Sequence, residues 1–399
     1  MAKQKVIYCD MAATTPVHEA VIKEISTQLK NNFGNAGSIH NLGLGAQKTL
    51  ESSRKTIADF LKARSQEIIF TGSGTEANNL AILGLYRNLL SNGHRPGDLH
   101  IITTNIEHSS VLKVYQYLKS EGVEVEYLPV EKTGLLNPKL LREKLRANTV
   151  LVSIGLANSE IGVIQPVHDI AKEIRHARKS STIKINQIFT LPYFHLDASQ
   201  APLWLSLDTQ TLGADLVVID GQKIYGPKGV GALFVREGIK LSPIQFGGGQ
   251  ERGLRPGTEN VPLIVGFAKA ISLINNSDKE INKVKSLRDY FIKKLQTKIS
   301  EIIINGDMES RLPNNVNFSL PGSDAEYLLL QLAEYGIYCS AKSACLSDEV
   351  GSYVVAAVND NKEAARSSLR FSFDKNITKK DLDYIIEVLS KRIIRGGLI

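Results

Sequence analysis

Between about residue 66 and residue 235, short runs rich in Ile, Val and Leu alternate with amphipathic stretches of helical period. That is the pattern of βαβ units in a mostly parallel sheet. The strand-like runs are 66–70, 99–103, 123–128, 149–154, 194–197, 215–219 and 230–235, and helical spacing marks 77–90, 139–146 and 169–178 between them. In the last of these, Ile170, Ala171, Ile174 and Ala177 share one side. Upstream, Thr15-Pro16 supplies a cap and a first-position proline for a helix over 17–30. The stretch 179–193 follows neither period and reads as a long surface loop.

After Gly247-Gly248-Gly249 the pattern changes. Val284, Leu287, Phe291 and Leu295 recur at helical spacing inside a basic stretch, 279–298, whose charges read as a solvated helix face. A later helix is capped by Thr378 with Asp381 three residues on, and carries Leu382, Ile385, Ile386, Leu389 and Ile393 on one side. These shifts divide the chain into an N-terminal segment, 1–15, expected to pack on the smaller domain; a large domain, 16–261; and a smaller α+β domain, 262–399.

The 399 residues are 43% hydrophobic, enough for a large buried core in two or three domains. Lys and Arg number 48 against 41 Asp and Glu, a net charge of +7 spread without a polybasic block, so direct nucleic-acid binding is not expected. No apolar run reaches the roughly 18 residues of a membrane span, and no membrane partner is expected. Cys9, Cys339 and Cys345 are too few for a disulfide framework, and no Cys/His cluster has zinc-site spacing, so no metal is expected. A reducing, cytoplasmic compartment follows as the expectation.

Three segments carry candidate chemistry. Thr71-Gly72-Ser73-Gly74-Thr75-Glu76 follows a strand and opens a helix, where backbone N–H groups, the helix dipole and the Thr75 hydroxyl suit an anion. Alone, it reads equally as a tight strand-to-helix turn, and it matches neither a P-loop nor a dinucleotide fingerprint. Asp197 ends an apolar strand, where open α/β sheets bind ligands, although alone it reads better as a capping residue, and Gln200 follows three residues later. Lys223 stands just past another buried strand, a setting that desolvates an amine and suits it to form a Schiff base, whereas Lys228 reads as a surface lysine. An anion cradle, a carboxylate and an amine on one sheet meet the needs of pyridoxal 5'-phosphate: phosphate, ring nitrogen and aldehyde.

The chain also resembles the cysteine desulfurases, pyridoxal-phosphate enzymes of the class V aminotransferase group. The matching stretches include Asp10-Met11-Ala12-Ala13-Thr14-Thr15-Pro16, Phe33-Gly34-Asn35, Thr75-Glu76 with Asn79, and Glu107-His108. They continue through Glu160-Ile161-Gly162, Asp197-Ala198 with Gln200, Lys223 to Gly229, Gly247 to Gly253, Gly257-Thr258, Ser343-Ala344-Cys345 and Ser367 to Phe371. The resemblance implies the type I transferase fold, an α/β large domain whose mostly parallel seven-stranded sheet lies between helices, beside a smaller α+β domain.

It further implies Lys223 as the Schiff-base lysine, Asp197 as partner of the ring nitrogen and Gln200 as partner of the ring hydroxyl. His108 would stack on the ring and shuttle protons, although on its own it reads as a helix-start residue. Gly74, Thr75, Ser159 and Gln222 would help hold the cofactor. Thr258 would reach the phosphate of a partner subunit's site, which implies a homodimer with composite sites. Asn35 and Arg370 would hold the substrate, the guanidinium clamping its carboxylate. Cys345, in a small and polar stretch with Lys342 three residues before it, would attack the sulfur of bound L-cysteine and carry it as a persulfide while alanine leaves. The acceptor would be an iron–sulfur scaffold or a tRNA-thiolation protein. Cys339 and Cys9 read as structural.

Departures from the family cluster at the cofactor. Asp220-Gly221-Gln222 stands where Ser-Gly-His is usual, Ser159 where a second Asn is usual, and Lys342 where Gly is usual. A carboxylate at 220 repels a phosphate unless it points away or pairs with a cation. Stretch 179–193 is longer than the usual connection, and the chain stops at Ile399 without the tail some relatives use to hold a scaffold, so scaffold binding does not follow. The rival readings are a selenocysteine lyase or aminotransferase of the same group, and a desulfurase-like scaffold that has lost its cofactor.

Overall fold

The computed structural model describes residues 5–181, 191–275, 277–341 and 351–390. Seven strands form the central sheet in the order Ile68–Thr71, Gly231–Val235, Leu216–Asp220, Tyr193–Asp197, Thr149–Gly155, His100–Thr104, Glu124–Leu128. Gly231–Val235 is the reversed strand, antiparallel to both neighbours, and the other pairings are parallel. The mostly parallel α/β reading therefore holds, with strand ends within two residues of those expected.

Both faces of this sheet are covered, which is why its strands read as apolar runs. Phe194, Leu196, Val217 and Ile219 pack into one core while Tyr193, Leu216 and Val218 pack into another, as the two-residue period of a strand requires. Helices Glu19–Asn31 and Val261–Ser272 bury apolar residues in the first core, and Gly74–Ser91 buries Ala77, Leu80 and Ala81 in the second.

A smaller antiparallel sheet of Ile303–Ile304, Asn315–Ser319 and Ser368–Ser372 packs with helices Asp278–Lys298 and Lys379–Glu387 around a third core. Phe318 stacks on Phe371 there with ring centroids 5.7 Å apart. Residues Ile7–Tyr8 pair in parallel with Ile337–Tyr338, and Ile7 and Cys9 are buried in the same core.

Three local expectations change. The first helix begins at Glu19, capped by Nδ1 of His18, which accepts from the Ala20 N–H at 3.1 Å. Thr15 does not cap it: its hydroxyl donates to the Gln222 carbonyl (2.8 Å) and accepts from the Tyr225 N–H (2.7 Å). A hydroxyl both donates and accepts, and here it serves two backbone groups of a distant turn. The basic face of Asp278–Lys298 is not wholly solvated, because Arg288 is buried and donates to the carbonyls of Arg311 and Leu312. Of the stretch expected as a surface loop, 182–190 lies outside the described residues, but Leu191 is buried and Tyr193 opens a buried strand. The Thr378–Asp381 capping box is present, with Leu382, Ile385, Ile386 and Leu389 buried; Ile393 lies outside the described residues.

Among the described residues no helix is long and apolar enough to cross a membrane.

Candidate active site

A cavity of about 270 Å³ opens at the carboxyl ends of the central strands. Five of those ends feed it: Gly74 and Thr75 follow Ile68–Thr71, Glu107 and His108 follow His100–Thr104, Ala157 to Ser159 follow Thr149–Gly155, Ser199 and Gln200 follow Tyr193–Asp197, and Gln222 and Lys223 follow Leu216–Asp220. Asp197 and Asp220, the last residues of their strands, line it as well. Arg370 reaches it from the small sheet, and Ala12 and Ala13 close it from the N-terminal segment.

Asp197 is oriented by three hydrogen bonds. Its Oδ2 accepts from Asn78 Nδ2 at 2.8 Å, and its Oδ1 accepts from the Ser199 N–H (3.0 Å) and Ser199 Oγ (2.6 Å). The second Asn78 amide hydrogen goes to Ser110 Oγ at 2.9 Å, and Ser110 Oγ lies 2.8 Å from His108 Nδ1. His108 is also the cap of helix Ser109–Ser120, its Nδ1 accepting from the Ser110 N–H at 3.2 Å. With Nδ1 held as acceptor, a neutral His108 carries its proton on Nε2. One chain of polar contacts thus connects imidazole to carboxylate.

Lys223 is half-buried, and its ammonium donates to the carbonyls of Ala12 (2.6 Å) and Ala13 (2.7 Å). Desolvation lowers its pKa, against the upward pull of the Asp220 carboxylate. Gln200 Nε2 donates to the Ala12 carbonyl as well, at 2.9 Å. Arg370 is only 2% exposed; Nη2 donates to Asp10 Oδ1 at 2.7 Å, Nη1 to the Ser159 carbonyl at 3.2 Å, and Nε is buried without a partner. Glu107 is also buried, accepting from Thr104 Oγ1 at 2.6 Å, and burial pushes its carboxyl pKa up to about 8.

The anion cradle is built differently from the expectation. Ser73 caps helix Gly74–Ser91, its Oγ accepting from the Glu76 N–H at 3.1 Å. The Gly74 N–H donates to Asp220 Oδ2 at 3.1 Å. Asp220 therefore points into the cradle.

Of the other expected residues, Asn35 and Thr258 are exposed and do not line this cavity. Asn35 Oδ1 accepts from the Gly37 N–H at 2.8 Å. Cys345 and Lys342 lie outside the described residues. Cys9 is buried and its thiol pKa is driven up by desolvation, as is that of Cys339, so both are protonated at neutral pH. The sequence pattern assigns no role to Asn78, Ser110 or the Ala12 and Ala13 carbonyls. Asn78 was detectable as the residue one helical turn after Gly74, but a backbone carbonyl leaves no trace in residue type.

The amine, the fixed carboxylate and the helix-start Thr75 hydroxyl fit the aldehyde, the ring nitrogen and one phosphate oxygen of a pyridoxal phosphate. Asp220 is the discordant member of that set.

The Aminotransferase class-V family matches residues 7–385. Cysteine desulfurase IscS of Dictyoglomus turgidum is 42% identical over 389 residues, 97% of this chain and 94% of the relative. Cysteine desulfurase IscS 1 of Archaeoglobus fulgidus is 38% identical, covering 96% and 95%. Among solved structures, a NifS-like protein superposes with TM-score 0.87 at 30% identity, over 98% of this chain and 99% of that one. A structure described as SspA in complex with cysteine gives TM-score 0.77 at 30% identity, over 92% and 99%. By fold and near full-length likeness, this chain belongs to the cysteine desulfurase family of class-V aminotransferases.

Proposed function

We propose that this protein is a cysteine desulfurase that binds pyridoxal 5'-phosphate in the cavity above the sheet, converts L-cysteine to L-alanine and passes the sulfur on through Cys345. The observation that carries this reading is the convergence of Lys223, Asp197 and His108 on one cavity, with Asp197 fixed by Asn78 and Ser199.

When bound, the cofactor supplies an electron sink that makes the Cα–H bond of cysteine breakable. Lys223, its pKa lowered by burial, offers the amine that holds the aldehyde. Asp197 would keep the ring nitrogen protonated, and its three hydrogen bonds stop it from turning away. His108, on the cavity wall, would lie against the ring and hold or return a proton at Nε2. Arg370 binds the substrate carboxylate through a rigid fork of donors, exchanging it for Asp10. The Cys345 thiolate attacks the substrate sulfur; the S–S bond forms as the carbon–sulfur bond breaks, and the carbon takes up a proton to leave as alanine. Thr258, exposed and outside this cavity, would serve the second subunit of a homodimer. An iron–sulfur scaffold or a tRNA-thiolation protein would receive the persulfide.

The test is to add L-cysteine with a reductant to the pyridoxal-phosphate-treated protein and quantify alanine and sulfide, beside Cys345→Ser and Lys223→Ala. Loss of product in both variants supports the reading. Equal alanine from Cys345→Ser sinks the persulfide step, and turnover of selenocysteine alone indicates the lyase. A protein that takes up no cofactor leaves only the scaffold.

A further inference from the structure

The turn that opens helix Gly74–Ser91, the anion cradle of the cavity, holds a carboxylate of the chain itself. Strands Ile68–Thr71 and Leu216–Asp220 flank Gly231–Val235, and Thr71 and Asp220 both stand opposite Gly231 in the register. Gly231 allows a close approach there: a Cβ on it would lie 2.9 Å from the Ser73 carbonyl carbon, 3.0 Å from the Ile219 oxygen and 3.1 Å from the Gly74 nitrogen. The start of helix Gly74–Ser91 is thereby drawn over the end of the Asp220 strand.

Asp220 is only 6% exposed. Its Oδ2 accepts from the Gly74 N–H (3.1 Å) and from Gln222 Nε2 (3.3 Å), and its Oδ1 accepts from the Gln222 N–H at 3.2 Å. A Cβ on Gly74 would meet Asp220 Oδ2 at 3.1 Å and Ser199 Oγ at 3.2 Å, so little free space separates the helix start from this carboxylate. The arrangement suits an anion, because helix N-termini favour negative charge and the Lys223 ammonium feels Asp220 as an attractive neighbour. A phosphate needs the same amide and would sit beside a like charge in a poorly hydrated site, where such juxtaposition is costly.

We propose that Asp220 stands in for the cofactor's phosphate, holding the Gly74 amide so that a phosphorylated pyridine aldehyde must displace it, and so lowers the affinity for pyridoxal 5'-phosphate without lowering that for pyridoxal. Asp220 is then a specificity-determining residue at the anion end of the cavity. This rests on the reading of the cavity as a pyridoxal-phosphate site.

The experiment titrates the full-length, cofactor-stripped protein separately with pyridoxal 5'-phosphate and with pyridoxal, following the visible absorbance of the lysine adduct in the parent, Asp220→Asn and Asp220→Ser. Near-ultraviolet circular dichroism checks folding, and Asp220→Asn keeps the side-chain shape. The expected result is about tenfold or more tighter binding of pyridoxal 5'-phosphate in both variants, equivalent to ~1.4 kcal/mol, with pyridoxal changed by less than about threefold. Inorganic phosphate should then compete with the phosphorylated aldehyde more strongly in the variants than in the parent. Unchanged or weaker pyridoxal-phosphate binding in both variants overturns the proposal, as does an equal gain for pyridoxal, which would place the effect away from the phosphate. Absence of any adduct with either aldehyde in all three proteins overturns instead the cofactor reading on which it rests.

Discussion

Glu107 lets the electrostatics of the cavity wall be tested without any ligand. Its carboxyl is buried beside Asp197, and burial pushes its pKa from an ordinary carboxylate value to about 8, with the Thr104 hydroxyl opposing only in part. A folded-state pKa above the unfolded one means that the folded protein holds a proton the unfolded chain has released. Stability from this group is therefore complete below the unfolded carboxylate pKa and is lost as pH rises towards 8. The slope approaches ~1.4 kcal/mol per pH unit, so between about pH 6 and about pH 8 the loss is roughly 2 kcal/mol, levelling off above. Glu107→Gln keeps the shape of the neutral acid and removes the titration. Denaturant unfolding of both proteins across this range should show the variant gaining on the parent by about 2 kcal/mol as pH rises, with no further gain at higher pH. Parallel stability curves would refute a buried, neutral Glu107.

Glu251 and Arg54 form a buried two-point ion pair, both contacts at 2.7 Å, with the Phe70 N–H also donating to Glu251 at 2.9 Å. Glu251→Gln should cost up to about 3–5 kcal/mol in chemical unfolding, because it removes the buried carboxylate facing Arg54 and leaves that guanidinium only the more exposed Glu51 and the Ile68 carbonyl. Gly162 has φ +72°, and a Cβ there would lie 2.6 Å from Asn315. Gly162→Ala should lower the thermal midpoint by the equivalent of about 1–3 kcal/mol, measured by calorimetry. Arg370→Lys should raise KM for cysteine at least about tenfold in steady-state alanine production, since an ammonium lacks the fork geometry.

The hydrophobic pattern made the central sheet legible because both of its faces are buried. Ile68 to Phe70, Leu151 to Ile154 and Leu216 to Ile219 could be strands in a covered sheet from their composition alone. The positions of Lys223 and Asp197 at the cavity were legible too, since open sheets bind ligands at the carboxyl ends of their strands. Thr15 reads as a cap because its sequence neighbours satisfy the local rule, whereas its hydroxyl bonds to a turn more than two hundred residues away. The basic stretch around Arg288 reads as solvated because helical spacing cannot reveal two carbonyls brought against that residue by another segment.

Sequence by itself therefore determined the α/β class, the strands, the family and the candidate residues that line the cavity, all of which depend on local period or on motif. Tertiary structure decided how those residues are held and charged. It ran a contact path from His108 through Ser110 and Asn78 to Asp197, closed Lys223 under the Ala12 and Ala13 carbonyls, and buried Glu107 until its proton stays on. It also turned Asp220 onto the Gly74 amide. The physical reason is common to these cases: hydrogen-bond direction and desolvation depend on which groups meet across the sheet, and residue order does not specify those distances.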